Sequence, residues 1–310
     1  MSRDEAEDAP HEVDYGPVRV FFGNRQGSYP DGNTLWIRGE QESALMDPAV
    51  GLYDRSSLPT PVDRIILSHF HEDHVAGLPL FPDIPVHVHR LDHPGLEDRE
   101  SMHAFYGYPP AVMETFAEIV EGQFHYEPRP DALSFEDGAV FDLGGVRIRA
   151  IHTPGHTRGH SCLMVEWEES GQSRRFLYLG DVELTTFGPY YGDAWSDLVD
   201  FERSLKLLRD VEADWYGTFH HIGVLEGRKA FLDRLDVFEG AIARRENALL
   251  EFLGTPHSMD EIVEHRFVFR PGTTGLYHDA AELRSMTLHL ERLKEQGQVV
   301  EDENGRFRIR

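Results

Sequence analysis

The chemistry this sequence can perform is concentrated in three short clusters of imidazole and carboxylate side chains. His69, His71, Asp73 and His74 fall within Ser68-His69-Phe70-His71-Glu72-Asp73-His74. His156 lies in His152-Thr153-Pro154-Gly155-His156-Thr157-Arg158-Gly159-His160, and Asp181 follows Gly180 at the end of an apolar run. A catalytic zinc needs several neutral imidazoles or carboxylates converging on one point, with a coordination position open for water. His69 and His71 stand two apart at the end of an extended segment, so their side chains share a side. Asp73 and His74 follow where the chain turns into a helix, which aims them at a neighbouring point, so one short loop can serve two metals. Pro154 and Gly155 force a tight loop that turns His156 inward, and the two oxygens of Asp181 suit it to bridging two cations. A last short strand runs into His220 and His221. The expected cofactors are two divalent ions per chain, zinc first, with iron or manganese also suited to such donors. A single His is usually a core or surface residue, so the flanking His152 and His160 are expected to shape the loop rather than bind metal.

These residues must be positioned by strands. Residues 17 to 50 alternate short apolar segments with Gly, Asn, Asp and Pro turns, the pattern of a strand meander. Ile65, Ile66 and Leu67 form a buried run that ends in the first cluster, and strand patterns recur at Val86 to His89, Val140 to Ile151, Ser161 to Trp167 and Arg175 to Leu179. The stretch from Leu91 to Gln123 reads as mostly helical, and its aromatic residues Phe105, Tyr106, Tyr108 and Phe116 are expected to pack between helices rather than cap a pocket. An amphipathic helix follows from Ser196 to Val211. Beyond it, Arg228 to Leu253 reads as a long helix, Ser258 to His265 as a short one with a Ser258/Glu261 capping box, and Ala280 to Gln296 as a third. Asn304-Gly305 between two apolar strands signals a hairpin. The expected division is an acidic disordered tail (1–16), a catalytic domain (17–237) and a C-terminal winged-helix-like domain (238–310).

Composition limits the partners. Of the net charge of −25, residues 1 to 237 carry −22 and the remainder −3. Such a catalytic part repels polyanions, which disfavours nucleic acid as a partner without excluding it, because that affinity rests on Lys and Arg neutralising phosphates. No apolar run approaches the roughly 20 residues of a membrane span, and the N-terminus lacks the basic-then-apolar layout of a secretory signal, so no membrane partner and a cytoplasmic location are expected. The single cysteine, Cys162, lies in an apolar strand pattern and is expected to be a buried structural thiol.

The motif H-x-H-x-D-H at His69 to His74, followed by single ligands at His156 and Asp181 and a last His, closely resembles the metallo-β-lactamase superfamily. The resemblance implies an α/β fold, the four-layer αβ/βα sandwich, from about Val18 to Leu232. It implies one metal site at His69, His71 and His156, another at Asp73, His74 and the final His, and Asp181 bridging. The family's Gly-His-Gly spacing favours His221 over His220, and Asp47 matches a strand-end carboxylate that supports the metal loop. The His-Thr-Pro-Gly-His-Thr loop looks most like glyoxalase II and related thioesterases and lactonases, and less like true β-lactamases. The expected reaction is attack of a metal-bridging hydroxide on the carbonyl of an ester, thioester or lactone, with a small-molecule acyl substrate. In it Asp73 would orient or shuttle the proton, and Tyr190 or Tyr191 would donate to the oxyanion. The alternatives are a single-strand endoribonuclease of the same superfamily, suggested by the C-terminal tail, and a mononuclear-iron persulfide dioxygenase-like enzyme. The tail could equally mediate homodimerisation or cover the pocket.

Overall fold

Alternation along the strands explains how the sheets stack. The computed structural model describes residues 11–310. One sheet contains, in sequence order, β1 (Glu12–Tyr15), β2 (Val18–Phe21), β3 (Thr34–Arg38), β4 (Ser43–Met46), β5 (Arg64–Ile66), β6 (Val86–His89) and β7 (Leu133–Phe135). The other orders β13 (Val224–Glu226), β12 (Trp215–Gly217), β11 (Gln172–Tyr178), β10 (Ser161–Glu169), β9 (Val146–His152) and β8 (Val140–Asp142). Leu163, Val165 and Trp167 of β10 join Val20, Leu35, Ile37 and Ile66 of the first sheet in one core, whereas Cys162 and Met164 point to the opposite face. The side-chain period of two thus gives β10 two buried faces, which is why it reads as a continuous apolar run.

The helical segments are α1 (Asn24–Gly27), α2 (Glu72–Val75), α3 (Pro94–Glu97), α4 (Arg99–Tyr106), α5 (Pro110–Gly122), α6 (Leu198–Leu208), α7 (Arg228–Phe252), α8 (Met259–His265) and α9 (Leu276–Glu295). Helices α4 and α5 cover the outer face of the first sheet through Met102, Phe105, Val112 and Phe116, and α6 and α7 cover the second through Phe201, Leu205, Phe231 and Leu235. The result is the helix–sheet–sheet–helix sandwich expected. No helix among the described residues is long and apolar enough to cross a membrane.

Two features depart from the sequence reading or refine it. The acidic segment expected to be a disordered tail through residue 16 enters the first sheet at Glu12: β1 pairs antiparallel with β2, and Arg19 Nε donates to Asp14 Oδ1 at 2.6 Å. Backbone pairing and charge matching overcome its polar composition; residues 1–10 of that expected tail lie outside the described residues. Helix α7 runs unbroken through the expected boundary at 237/238, burying Phe231, Leu235 and Phe238 against the second sheet and Leu249 in a separate cluster with Ile262, Leu290 and Phe307. Past α7 the capping box forms as the spacing predicts, Ser258 Oγ accepting from Glu261 N and Glu261 Oε2 from Ser258 N. Strands β14 (Val299–Glu301) and β15 (Phe307–Ile309) close the hairpin around Asn304-Gly305.

Candidate metal centre and substrate pocket

The ends of β5, β9, β11 and β12 converge at one edge of the sandwich. Strand β5 leads through Leu67 and Ser68 to His69 and to His71, the residue that caps α2, whose first turn carries Asp73 and His74. Strand β9 feeds the His156 loop, β11 leads to Asp181, and β12 to His220. Asp47, just past β4, holds a left-handed backbone (φ 45°). Its carboxylate accepts from Ser68 N at 2.7 Å and from the Tyr178 hydroxyl at 2.7 Å, and lies 2.7 Å from His74 Nδ1. The supporting position expected of Asp47 is therefore the one it occupies.

Ligand-type atoms of His69, His71, His156 and Asp181 all lie within 4.8 Å of one another, and so do those of Asp73, His74 and His220. Asp181 reaches toward both groups, with Oδ2 3.2 Å from His156 Nε2 and Oδ1 2.9 Å from His74 Nε2. The far ring nitrogens are held from behind: His156 Nδ1 is 3.1 Å from the Tyr190 carbonyl, His220 Nδ1 2.7 Å from that of Gly27, and His69 Nδ1 3.0 Å from Ser68 Oγ. Each imidazole thus turns Nε2 inward, an orientation typical of metal-ligating histidines. His160 faces the other way in role: its Nε2 accepts from the Asp181 backbone N–H at 3.1 Å and so fixes the start of that loop.

Nε2 of His69, His74 and His156 and Oδ1 of Asp181 are buried with no hydrogen-bond partner, the 2.9 Å approach of His74 to Asp181 being misaligned for one. Buried polar atoms are nearly always paired because leaving them unpaired is costly. Four such atoms aimed at a common space fit a divalent cation. The field agrees: burial alone would lower the His220 imidazole, yet the carboxylates of Asp181 and Asp73 push it up to about 10. Asp193 likewise pushes His71 up to about 9 against its burial. Burial and the neighbouring His74 and His71 instead hold His69 well below its ordinary value, so the carboxylates' pull is felt at the His71 and His220 positions.

Two expected residues fall elsewhere. His221 takes a left-handed backbone (φ 62°), so its ring swings away from the cluster, its Nδ1 lying 3.1 Å from Ser28 Oγ. His220 joins the Asp73 and His74 group instead, with Nε2 2.9 Å from Asp73 Oδ2. Tyr191 is fully buried on the far side of its loop, its hydroxyl bound to His289 and Arg245. Tyr190 and Asp73 do line the pocket, and the Tyr190 hydroxyl donates to Asp193 Oδ1 at 3.3 Å.

The sequence reading missed several pocket residues. Asp193, 3% exposed, brings Oδ2 to 3.3 Å from His71 Nε2 without a hydrogen bond, while its Oδ1 accepts from Tyr108 at 3.0 Å. Glu72, the variable position inside the motif, accepts from the hydroxyls of Tyr29, at 3.1 Å, and of Tyr106. Burial pushes the Glu183 carboxyl up to about 7. Tyr106, Tyr108 and Phe116, expected as helix packing, also line the pocket, which measures about 200 Å³. The only available signals were Glu72 within the motif and the crowding of aromatic residues.

A sandwich of this topology with paired His/Asp clusters at its strand ends defines a metallo-hydrolase class, and comparison with known proteins agrees. The model of the metallo-beta-lactamase superfamily matches residues 30–221. The chain belongs to that superfamily. It is 24% identical over 205 residues, 63% of its length, to an atrochrysone carboxyl ACP thioesterase of Aspergillus fumigatus, of which it spans 52%. It is 30% identical over 150 residues to an uncharacterized protein of Mycobacterium tuberculosis, covering 45% of this chain and 62% of that one. The chain thus spans about half the length of the thioesterase it matches. Among solved structures, a metallo-beta-lactamase family protein of Thermus thermophilus shares 25% identity with a TM-score of 0.69, covering 95% of this chain and 99% of that one. A beta-lactamase domain protein of Burkholderia ambifaria, at 16% identity, superposes over 99% of this chain and 96% of that one with a TM-score of 0.69 and supports the fold.

Proposed function

We propose that the chain is a binuclear metal-dependent hydrolase of carbonyl esters, thioesters or lactones. The observation that carries this reading is the set of buried, unpartnered ligand atoms on His69, His74, His156 and Asp181, of which His156 and Asp181 line a pocket with no Lys or Arg in its wall. One site would be held by His69, His71 and His156, the other by Asp73, His74 and His220, with Asp181 between them. Divalent ions held there would supply a Lewis acid for the carbonyl and would lower the pKa of a coordinated water towards about 7.

The remaining roles belong to the chain. Asp73, 2.9 Å from His220, would orient the attacking water and take up its proton. Tyr190, whose buried hydroxyl stays protonated, would donate to the carbonyl oxygen as charge builds there. Water adds to the carbonyl carbon, the bond to the alcohol or thiol breaks, and the leaving group departs with a proton. The absence of basic side chains from the pocket weighs against a polyanionic RNA strand. The thioesterase similarity supports acyl chemistry. We further propose a cytoplasmic location and a winged-helix-like identity for residues 238–310.

The test is elemental analysis of the purified protein together with turnover of a thioester, a lactone and a single-stranded RNA. Nearly two zinc ions per chain with ester or thioester hydrolysis is expected. One iron per chain, or cleavage of RNA alone, would overturn the reading.

A further inference from the structure

Four aromatic side chains are exposed among the described residues, and three of them, Tyr29, Phe187 and Tyr277, stand on the rim of this one pocket. Clustered exposed apolar surface marks a binding site, whereas scattered exposed rings mean little. Phe269 completes the group, its ring centroid 6.0 Å from that of Phe187.

Both rings, tilted 49° to each other, are held in place by buried charges. Glu282 is fully buried in α9, and its carboxylate accepts from the backbone N–H groups of Phe267 at 2.6 Å, Val268 at 3.0 Å and Phe269 at 3.2 Å. Such charge-assisted bonds are the strong ones, and they fix a stretch that has no regular structure of its own. Opposite, Arg245 of α7 donates to the carbonyls of Phe187 at 2.7 Å and Pro189 at 2.6 Å, with its guanidinium 5.1 Å from the Phe187 ring. The two rings are therefore a fixed pair, supplied by segments that meet only in the folded chain.

Charge narrows the occupant. The pocket is lined by carboxylates of Glu72, Glu183 and Asp193 beyond those expected to face metal, and no Lys or Arg opposes them. An anionic group on the acyl part finds no basic side chain to receive it there. The volume, about 200 Å³, lies below the roughly 300–1,000 Å³ of pockets for drug-sized ligands, which suits one ring and its carbonyl.

On the acyl-hydrolase reading above, we propose that the pocket selects substrates whose acyl part ends in an uncharged aromatic ring, seated against the contiguous pair of Phe187 and Phe269, with Tyr29 and Tyr277 as outer walls of the clamp. The C-terminal segment carrying Phe269 and Tyr277 is then a specificity element.

The test compares phenylacetyl, acetyl and succinyl thioesters of N-acetylcysteamine, which share one uncharged leaving group, on the full-length, zinc-loaded protein. In parallel, phenylacetamide binding is followed by calorimetry. The phenylacetyl thioester should exceed the acetyl by about 10-fold or more in kcat/KM and the succinyl by more still, in line with the discrimination apolar pockets achieve. Phe269→Ala and, separately, the exposed Tyr277→Ala should each lower the phenylacetyl-to-acetyl ratio, mainly through KM, and weaken phenylacetamide binding. Equal turnover of the three thioesters, a preference for succinyl, or an unchanged ratio in both variants would overturn the clamp. Phenylacetamide binding that Phe269→Ala abolishes, with no thioester hydrolysed, would sink the hydrolase reading and uphold the clamp.

Discussion

The carboxylate of Asp47, at the end of β4, lies 2.7 Å from His74 Nδ1 and accepts a 2.7 Å hydrogen bond from the hydroxyl of Tyr178 in β11. One side chain therefore ties both sheets to an imidazole of the clustered histidines. Asp47→Asn would replace an acceptor oxygen by a donor in a place with four donors, Ser68 N, Ser68 Oγ, His74 Nδ1 and the Tyr178 hydroxyl. Loss of such a supporting partner typically costs 10- to 100-fold in metal affinity, so zinc affinity measured by chelator competition should fall by about that range. Affinity equal to wild type would show that the carboxylate does not orient His74.

The adjacent histidines 220 and 221 separate by one substitution each. On the proposed binuclear centre, His220→Ala should lose one of two bound metals and lower kcat by about 100-fold or more, since it would remove a ligand outright. His221→Ala should keep both metals and turnover. Elemental analysis of the two variants decides it, and the reverse pattern would return the ligand role to His221.

A pH effect on stability follows from His89. Its Nδ1 accepts the Leu91 N–H at 3.3 Å and its ring stacks on His152 at 4.2 Å. Burial, with the neighbouring His152 second, lowers it to about 4. A folded pKa below the unfolded value of about 6.5 means that the charged form is disfavoured in the fold. This contribution is complete above about pH 6.5 and is lost as pH falls through 4. Tm measured between pH 7 and 4 should decline less steeply in His89→Asn, which can still accept from Leu91; parallel curves would refute the assignment.

Arg245 is buried in α7 and donates to the carbonyls of Phe187 and Pro189 and to the Tyr191 hydroxyl. Arg245→Met keeps the apolar stem but leaves these acceptors unpaired. A loss of about 2–4 kcal/mol is expected from hydrogen bonds to a charged group, read by denaturant unfolding, together with a raised KM because the loop bears Phe187 and Tyr190. Stability within about 0.5 kcal/mol of wild type would mean that the loop holds itself.

How much of this could be read beforehand depended on locality. His69, His71, Asp73 and His74 were legible because six consecutive residues fix both their spacing and the strand-to-helix turn under them. His156 and Asp181 were legible because each sits in a tight turn after an apolar strand. His220 was not separable from His221, because the choice rests on the φ of 62° at His221, which residue types alone do not dictate. The direction of Tyr191 depends on partners, Arg245 and His289, about 54 and 98 residues distant along the chain. Asp193 and Phe269 were invisible for the same reason: they reach the pocket through tertiary packing, without any periodic pattern. In β1 a strand was hidden by acidic composition, since pairing to β2 is not a property of Glu12 to Tyr15 alone.

The superfamily match ends at residue 221, whereas Arg245, Phe269, Tyr277 and Glu282 all lie beyond it. Part of the pocket wall, Phe269 and Tyr277, is thus encoded apart from the reactive centre, while Tyr106, Tyr108 and Phe187 lie within the matched stretch. Descendants of one ancestor could keep every ligand loop intact and still exchange substrates by rewriting residues 245–282, which hold none of the metal-facing side chains.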